Sequence, residues 1–189
     1  MDSVVYLTFD DGPDPQWTPQ VLDALAAAQA RATFFAIGKC ARRYPELLRR
    51  AKVEGHEIAN HTFDHKHPWT LSADAARQQV FDGANAIADI LGQAPRFYRA
   101  PHGHNRPCMT AAARECGEEV VNWNLSAIDW GWFGKAERIL RRLQAVRDAD
   151  IVLMHDGKNR HNHPEELLRV LPRFLGELQR NNIHTALLI

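Results

Sequence analysis

Apolar residues along the chain fall into two alternating patterns. Short runs rich in β-branched and aromatic residues, such as "VVYLTF" and "ATFFAIG", predict strands over 4–9 and 32–38. The same reading extends to 56–60, 97–100, 120–125, 150–155 and 184–189. Between them, apolar positions recur at helical spacing with readable ends. Thr18 stands where a cap is expected, with Pro19 at the first helical position, and "PELLRRAKVEG" starts at Pro45 and stops at Gly55. Ser72 is expected to cap a long helix ending near Gly92, and 106–115, 135–147 and 164–181 complete the set. Strand and helix in regular alternation imply parallel strands with helical crossovers, an α/β protein. Either a small irregular (β/α) barrel or a doubly wound open sheet fits, and periodicity alone does not separate them.

No linker, repeat or composition break divides the sequence, so residues 1–189 are read as one domain. Lys plus Arg and Asp plus Glu are 23 each, so no excess of positive charge points to nucleic acid or an anionic membrane. Three cysteines without a CxxC pair argue against a thiolate zinc site and for free thiols in a reducing compartment. The N-terminus enters a strand at once and no run approaches the ~20 apolar residues of a membrane span. The expectation is a cytoplasmic protein.

Candidate chemistry collects after the strands. Asp10 and Asp11 follow the first, His61 and His65 the third, and Arg99 and His102 the fourth. Asp129 and Trp130 follow the fifth, and His155 and Asp156 end the sixth. In parallel α/β folds all these positions converge on the carboxyl edge of the sheet, where ligands bind. Within a regular strand, adjacent side chains point to opposite faces, so Asp10 and Asp11 could share a site only if Gly12 and Pro13 break the strand at once. A divalent cation bound by one acid would relieve their repulsion and leave the other as a base. The i, i+4 spacing of His61 and His65 would place two imidazoles on one face of a helical turn, completing a two-His, one-carboxylate site with an open position.

The ordered motifs "TFDDGP", "HTFDH", "RAPH", "DW" and "LMHD" resemble those of the NodB-homology polysaccharide deacetylases, carbohydrate esterase family 4, and are similar in flavour to chitooligosaccharide deacetylases. The resemblance implies a distorted (β/α) barrel with about seven parallel strands, and metal-dependent hydrolysis of the acetamide of an N-acetylated amino sugar. By that resemblance Asp10 is the general base and His155 the general acid. Asp11, His61 and His65 hold the metal, with zinc the expected ion. Arg99 holds Asp10, and Asp129 tunes either Arg99 or His155. Trp130 and Leu153 line the acetyl pocket, and Pro101 and His102 belong to the oxyanion and substrate wall, with the His102 backbone N–H as donor. A small carbohydrate is the expected partner.

His102 stands where the family usually has Tyr. With His104, His161 and His163 nearby, this motivates a shift toward a small, charged or non-polymeric substrate. His56, at a strand start, is read as structural. His67, His104, His161 and His163 are read as loop residues, Asp156 as a turn or helix-start residue, and Trp17, Trp69, Trp123 and Trp132 as core or groove lining. Two rivals to the deacetylase reading stand: a related amide hydrolase with a non-carbohydrate substrate, and a non-catalytic sugar-binding module.

Overall fold

A computed structural model describes residues 3–189. Eight strands run through it: Ser3–Asp10 (β1), Ala32–Ala36 (β2), Glu57–Asn60 (β3), Phe97–Tyr98 (β4), Glu119–Val120 (β5), Leu125–Ser126 (β6), Ile151–His155 (β7) and Ile183–Thr185 (β8). The helices are Thr18–Ala27 (α1), Gly38–Arg43 (α2), Pro45–Val53 (α3), Ala73–Leu91 (α4), Pro107–Glu115 (α5), Ala136–Leu143 (α6), Pro164–Leu168 (α7) and Leu171–Arg180 (α8). Every strand pair is parallel, in the order β5-β4-β3-β2-β1-β7-β6, with β8 pairing the first residues of β1. The sheet curls into an incomplete barrel whose edge strands, β5 and β6, are consecutive in the chain.

Period-two alternation along β1 sorts its side chains. Val5, Leu7 and Phe9 join the large core beneath helices α1, α3, α6 and α8. Tyr6 turns to the other face, where Phe35, Ala59, Phe97 and Leu188 form a small inner cluster. Thr8 and Asp10 lie on that inner side, and register places Asp10 beside Phe35 on β2 and His155 on β7.

The expected strand over 120–125 is two short strands. The reason is the buried guanidinium of Arg99, which donates to the carbonyls of Val121 and Asn122 at 3.1 and 3.2 Å and so takes acceptors a continuous ladder would use. The expected helix over 164–181 is also divided, at Arg169–Val170, because Pro172 in the first turn of α8 lacks the N–H that would continue the ladder from α7. Ser72 caps α4 by accepting from Ala75 N at 3.1 Å, and Gly92 ends that helix at φ 72°. Thr18 lies inside α1 rather than capping it: its hydroxyl accepts from Asp14 N and donates to Asp156.

Helix α2 was not expected from the sequence, since Ile37 at its N-cap offers no capping side chain. Its first N–H groups find other acceptors: Gly38 and Lys39 donate to the carbonyls of Thr62 and Phe63, both at 2.9 Å. The helix start thereby anchors the loop that follows β3.

Candidate active site

Asp10 ends β1 and Asp11 leaves it with φ 74°. That left-handed residue breaks the strand's alternation one position earlier than the Gly12–Pro13 stop, and it is how neighbouring acids come to address one cavity. Gly157 makes room for the turn, since a Cβ there would lie 2.2 Å from the Asp11 carbonyl oxygen.

His61 and His65 do not lie on a helical turn. Residues 61–65 form an irregular loop in which Thr62 and His65 take φ 67° and 54°. Phe63 N and Asp64 N donate to the backbone and side-chain oxygens of Gln79 on α4. At Gly83 of the same helix a Cβ would stand 2.3 Å from Asn60 Oδ1, so the helix must be bare there for the loop to seat. His61 donates from Nδ1 to the Arg99 carbonyl at 2.8 Å, which leaves its Nε2 lone pair facing the acids. Ligand atoms of Asp11, His61 and His65 fall within 4.8 Å of one another.

The two acids have separate partners. Arg99, with no exposed surface, donates from Nη1 to Asp10 Oδ1 at 2.7 Å and to Thr8 Oγ1 at 2.8 Å, and its guanidinium carbon lies 3.9 Å over the Phe35 ring. Asp11 instead receives two amide donors on Oδ2, from Asn162 at 2.6 Å and Asn159 at 2.9 Å. Burial works against the Asp11 charge, yet His61 and His65 hold its carboxyl well below the usual range. Asp11 Oδ1 is buried and takes no hydrogen bond, although Nε2 of His65 and of His61 lie 3.0 and 3.4 Å away.

Asp129 partners His155, not Arg99. Its Oδ1 lies 2.8 Å from His155 Nδ1 and its Oδ2 accepts the His155 backbone N–H at 2.8 Å. Burial alone would lower the imidazole's pKa, but the charge and hydrogen bond of Asp129, helped by Asp11 and Asp10, raise it to about 9.

These groups open on a cavity of about 270 Å³, with His102, Trp123, Trp130, Leu153 and His161 among its walls. Trp130 stands edge-on to His155, ring centroids 5.3 Å apart. His102 occupies φ 57°, and partial desolvation of its otherwise exposed ring, with His65 and His67 beside it, lowers its pKa to about 4. Pro101 is buried beneath the turn and does not line the cavity. Of the residues read as bland, His161 and Trp123 line the walls, whereas Trp132 is 92% exposed. His56 is buried and edge-on to Phe34, its pKa lowered to about 4 by burial, in keeping with a structural role. Asp156 lies under α1 and accepts from Thr18 at 2.5 Å; burial first, then the charges of Asp11 and Asp10, raise its pKa to about 7. Asn159 and Asn162, in "KNRHNHPEE", are not among the residues expected from the sequence, although they too are polar residues that follow a strand's carboxyl end.

The donors fit a divalent cation. An unbonded, buried carboxylate oxygen, a lone pair directed by a carbonyl on the far nitrogen, and a second imidazole within reach make the two-imidazole, one-carboxylate set of catalytic zinc.

A family model described as polysaccharide deacetylase matches residues 1–121. The chain is 41% identical over 154 residues to a chitooligosaccharide deacetylase of Bradyrhizobium sp. (strain ANU 289), covering 81% of this chain and 70% of the relative. It is 35% identical over 174 residues to a peptidoglycan-N-acetylglucosamine deacetylase of Bacillus cereus, covering 90% and 81%. A family 4 carbohydrate esterase from Streptomyces lividans, solved in complex with acetate, superposes over 100% of this chain and 94% of its own, with a TM-score of 0.89 at 27% identity.

Proposed function

The chain belongs to the polysaccharide deacetylase family, and we propose that it is a metal-dependent N-deacetylase acting on N-acetylglucosamine units of a short chitooligosaccharide or a small conjugate. The observation that carries the reading is the register of β1 against β7. It sets Asp10 beside His155, each with its own buried partner, around the Asp11–His61–His65 group.

A divalent ion, zinc by its donor set, held by Asp11, His61 and His65 would supply a Lewis acid that polarises the acetamide and lowers the pKa of water. Asp10 accepts the proton of the attacking water. Its Oδ1 is fixed by Arg99, and its Oδ2 lies 3.7 Å from His61 Nε2, on the side of the ligand group. Backbone bonds of the turn run from Gly103 N to Ala100 O and from His104 N to Pro101 O, leaving the His102 N–H available to the developing oxyanion. His155, with Nδ1 given to Asp129, carries the second proton of its imidazolium on Nε2 and delivers it to the departing nitrogen. The C–N bond breaks, releasing acetate and a free amine. Trp130 and Leu153 offer apolar surface for the acetyl methyl.

The test is release of acetate from N-acetylglucosamine oligomers, peptidoglycan fragments and non-carbohydrate acetamides, with and without chelator. Asp10→Asn is expected to keep its metal and lose most turnover, whereas Asp11→Asn loses metal affinity first. Equal metal loss in both variants overturns the division of roles. Activity confined to non-carbohydrate acetamides moves the reading to the first rival, and no activity in a metal-loaded protein moves it to the non-catalytic one.

A further inference from the structure

Imidazoles continue outward beyond the inner ligand group. Ring centroids of His65 and His102 are 4.7 Å apart, those of His102 and His67 5.1 Å, and those of His67 and His104 5.0 Å. His67, His102 and His104 are exposed and sit on the loops that follow β3 and β4. Two imidazoles on one tetrahedral ion, each at about 2.0–2.1 Å, have centroids roughly 5 Å apart. The inner pair, His61 and His65, stands at 4.9 Å. The outer trio repeats that spacing twice. Its third distance, 6.4 Å between His102 and His104, is wider, so the three rings do not converge as tightly as Asp11, His61 and His65 do, and a shared ion requires rotation of these exposed side chains. Among the described residues, no hydrogen bond joins the ring of His67, His102 or His104 to another group, unlike the rings of His61 and His155.

We propose that His67, His102 and His104 form a second, outer site for a transition-metal cation of the zinc type. Imidazole nitrogens select zinc, copper or nickel over magnesium and calcium, and water completes the shell of an exposed three-ligand site. His102 also lines the cavity, so an ion held there stands across the entrance and obstructs the substrate. The outer site therefore makes the protein sensitive to excess of the metal that its inner site needs. Cation binding at these three residues does not depend on the deacetylase reading.

Chelator-stripped protein titrated with zinc alone, followed by equilibrium dialysis and metal analysis, tests it. The unaltered chain is expected to bind two equivalents, the second more weakly. The His67→Ala/His104→Ala double variant binds one, and that retained inner equivalent reports an intact fold. Zinc added beyond one equivalent slows acetate release by the unaltered chain and leaves the double variant's own rate flat. One equivalent in the unaltered chain, or a second equivalent that survives in the double variant, overturns the proposal, whatever substrate the enzyme takes.

Discussion

Replacing Asp129 by Asn removes a buried charge while keeping the side chain's shape. Asp129 has no exposed surface, and its two oxygens serve the ring and the backbone N–H of the same residue, His155. Burial disfavours the imidazolium, and Asp129 more than reverses that, so that the ring's pKa stands at about 9 against an ordinary 6.5. The difference corresponds to about 3 kcal/mol of preference for the protonated ring. In the variant burial remains and only the smaller contributions of Asp11 and Asp10 oppose it, so His155 is expected to titrate well below 9. The general acid must be protonated to act, so the alkaline limb of kcat/KM moves down in pH with it. The stability consequence has a definite sign. A pKa raised in the folded state contributes stability that is complete below about 6.5 and is lost as pH climbs through about 9. The Tm gap between unaltered chain and variant therefore narrows over that window. Ring titration by NMR in chelated protein, together with the pH profile of acetate release, measures both effects. An unmoved alkaline limb, or a ring in the unaltered chain that titrates at or below 6.5, refutes the reasoning.

Asn162→Ala removes the 2.6 Å donor to Asp11 Oδ2 and is expected to weaken zinc affinity by roughly 10–100-fold. Competition dialysis checks this, and unchanged affinity would show that the amide plays no part in orienting the carboxylate. Glu118 is buried with a single amide donor, Asn60 Nδ2, near both oxygens, and burial raises its pKa to about 8. Because the folded chain holds that proton longer than the unfolded one, stability falls as pH rises from about 4.5 to about 8. Glu118→Gln should raise Tm at pH 9 and change it little at pH 4. A Tm difference that does not vary with pH contradicts this account.

Strand–helix alternation and the convergence of polar residues at strand ends were legible in the sequence because each rests on local periodicity. The short strands β5 and β6 were not, since they answer to Arg99, which lies more than twenty residues upstream of both carbonyls it occupies. Helix α2 is not legible for a similar reason: its first N–H groups are satisfied by Thr62 and Phe63 across space, so no capping residue marks it. The spacing of His61 and His65 pointed to a pair that the structure does bring together, though not on the expected helical turn. A loop with two left-handed residues, pinned to Gln79, brings them together instead. Asn159 and Asn162 reach Asp11 across more than a hundred residues, and nothing in their neighbourhood names that acid as their partner.

Left-handed backbone at non-glycine positions costs on the order of 1–3 kcal/mol each, and here it recurs at Asp11, Thr62, His65 and His102, on three separate loops at one sheet edge. Such conformations persist only when surroundings over-determine them, and Arg99 is where much of that determination meets. Its side chain packs over Phe35 in the inner cluster, binds Thr8 and Asp10 at the end of β1, and holds the carbonyls that bridge the open edges of the sheet. Its backbone carbonyl fixes the tautomer of His61. A buried cation is costly unless paired and fully bonded. In this chain the same hydrogen bonds that satisfy Arg99 also join the sheet's last strands and set two of the groups proposed for chemistry. Fold closure and site geometry therefore stand or fall with one residue. That shared dependence explains how Asp10 keeps an environment of its own beside Asp11: its partner is built into the core of the sheet, while the partners of Asp11 come from loops.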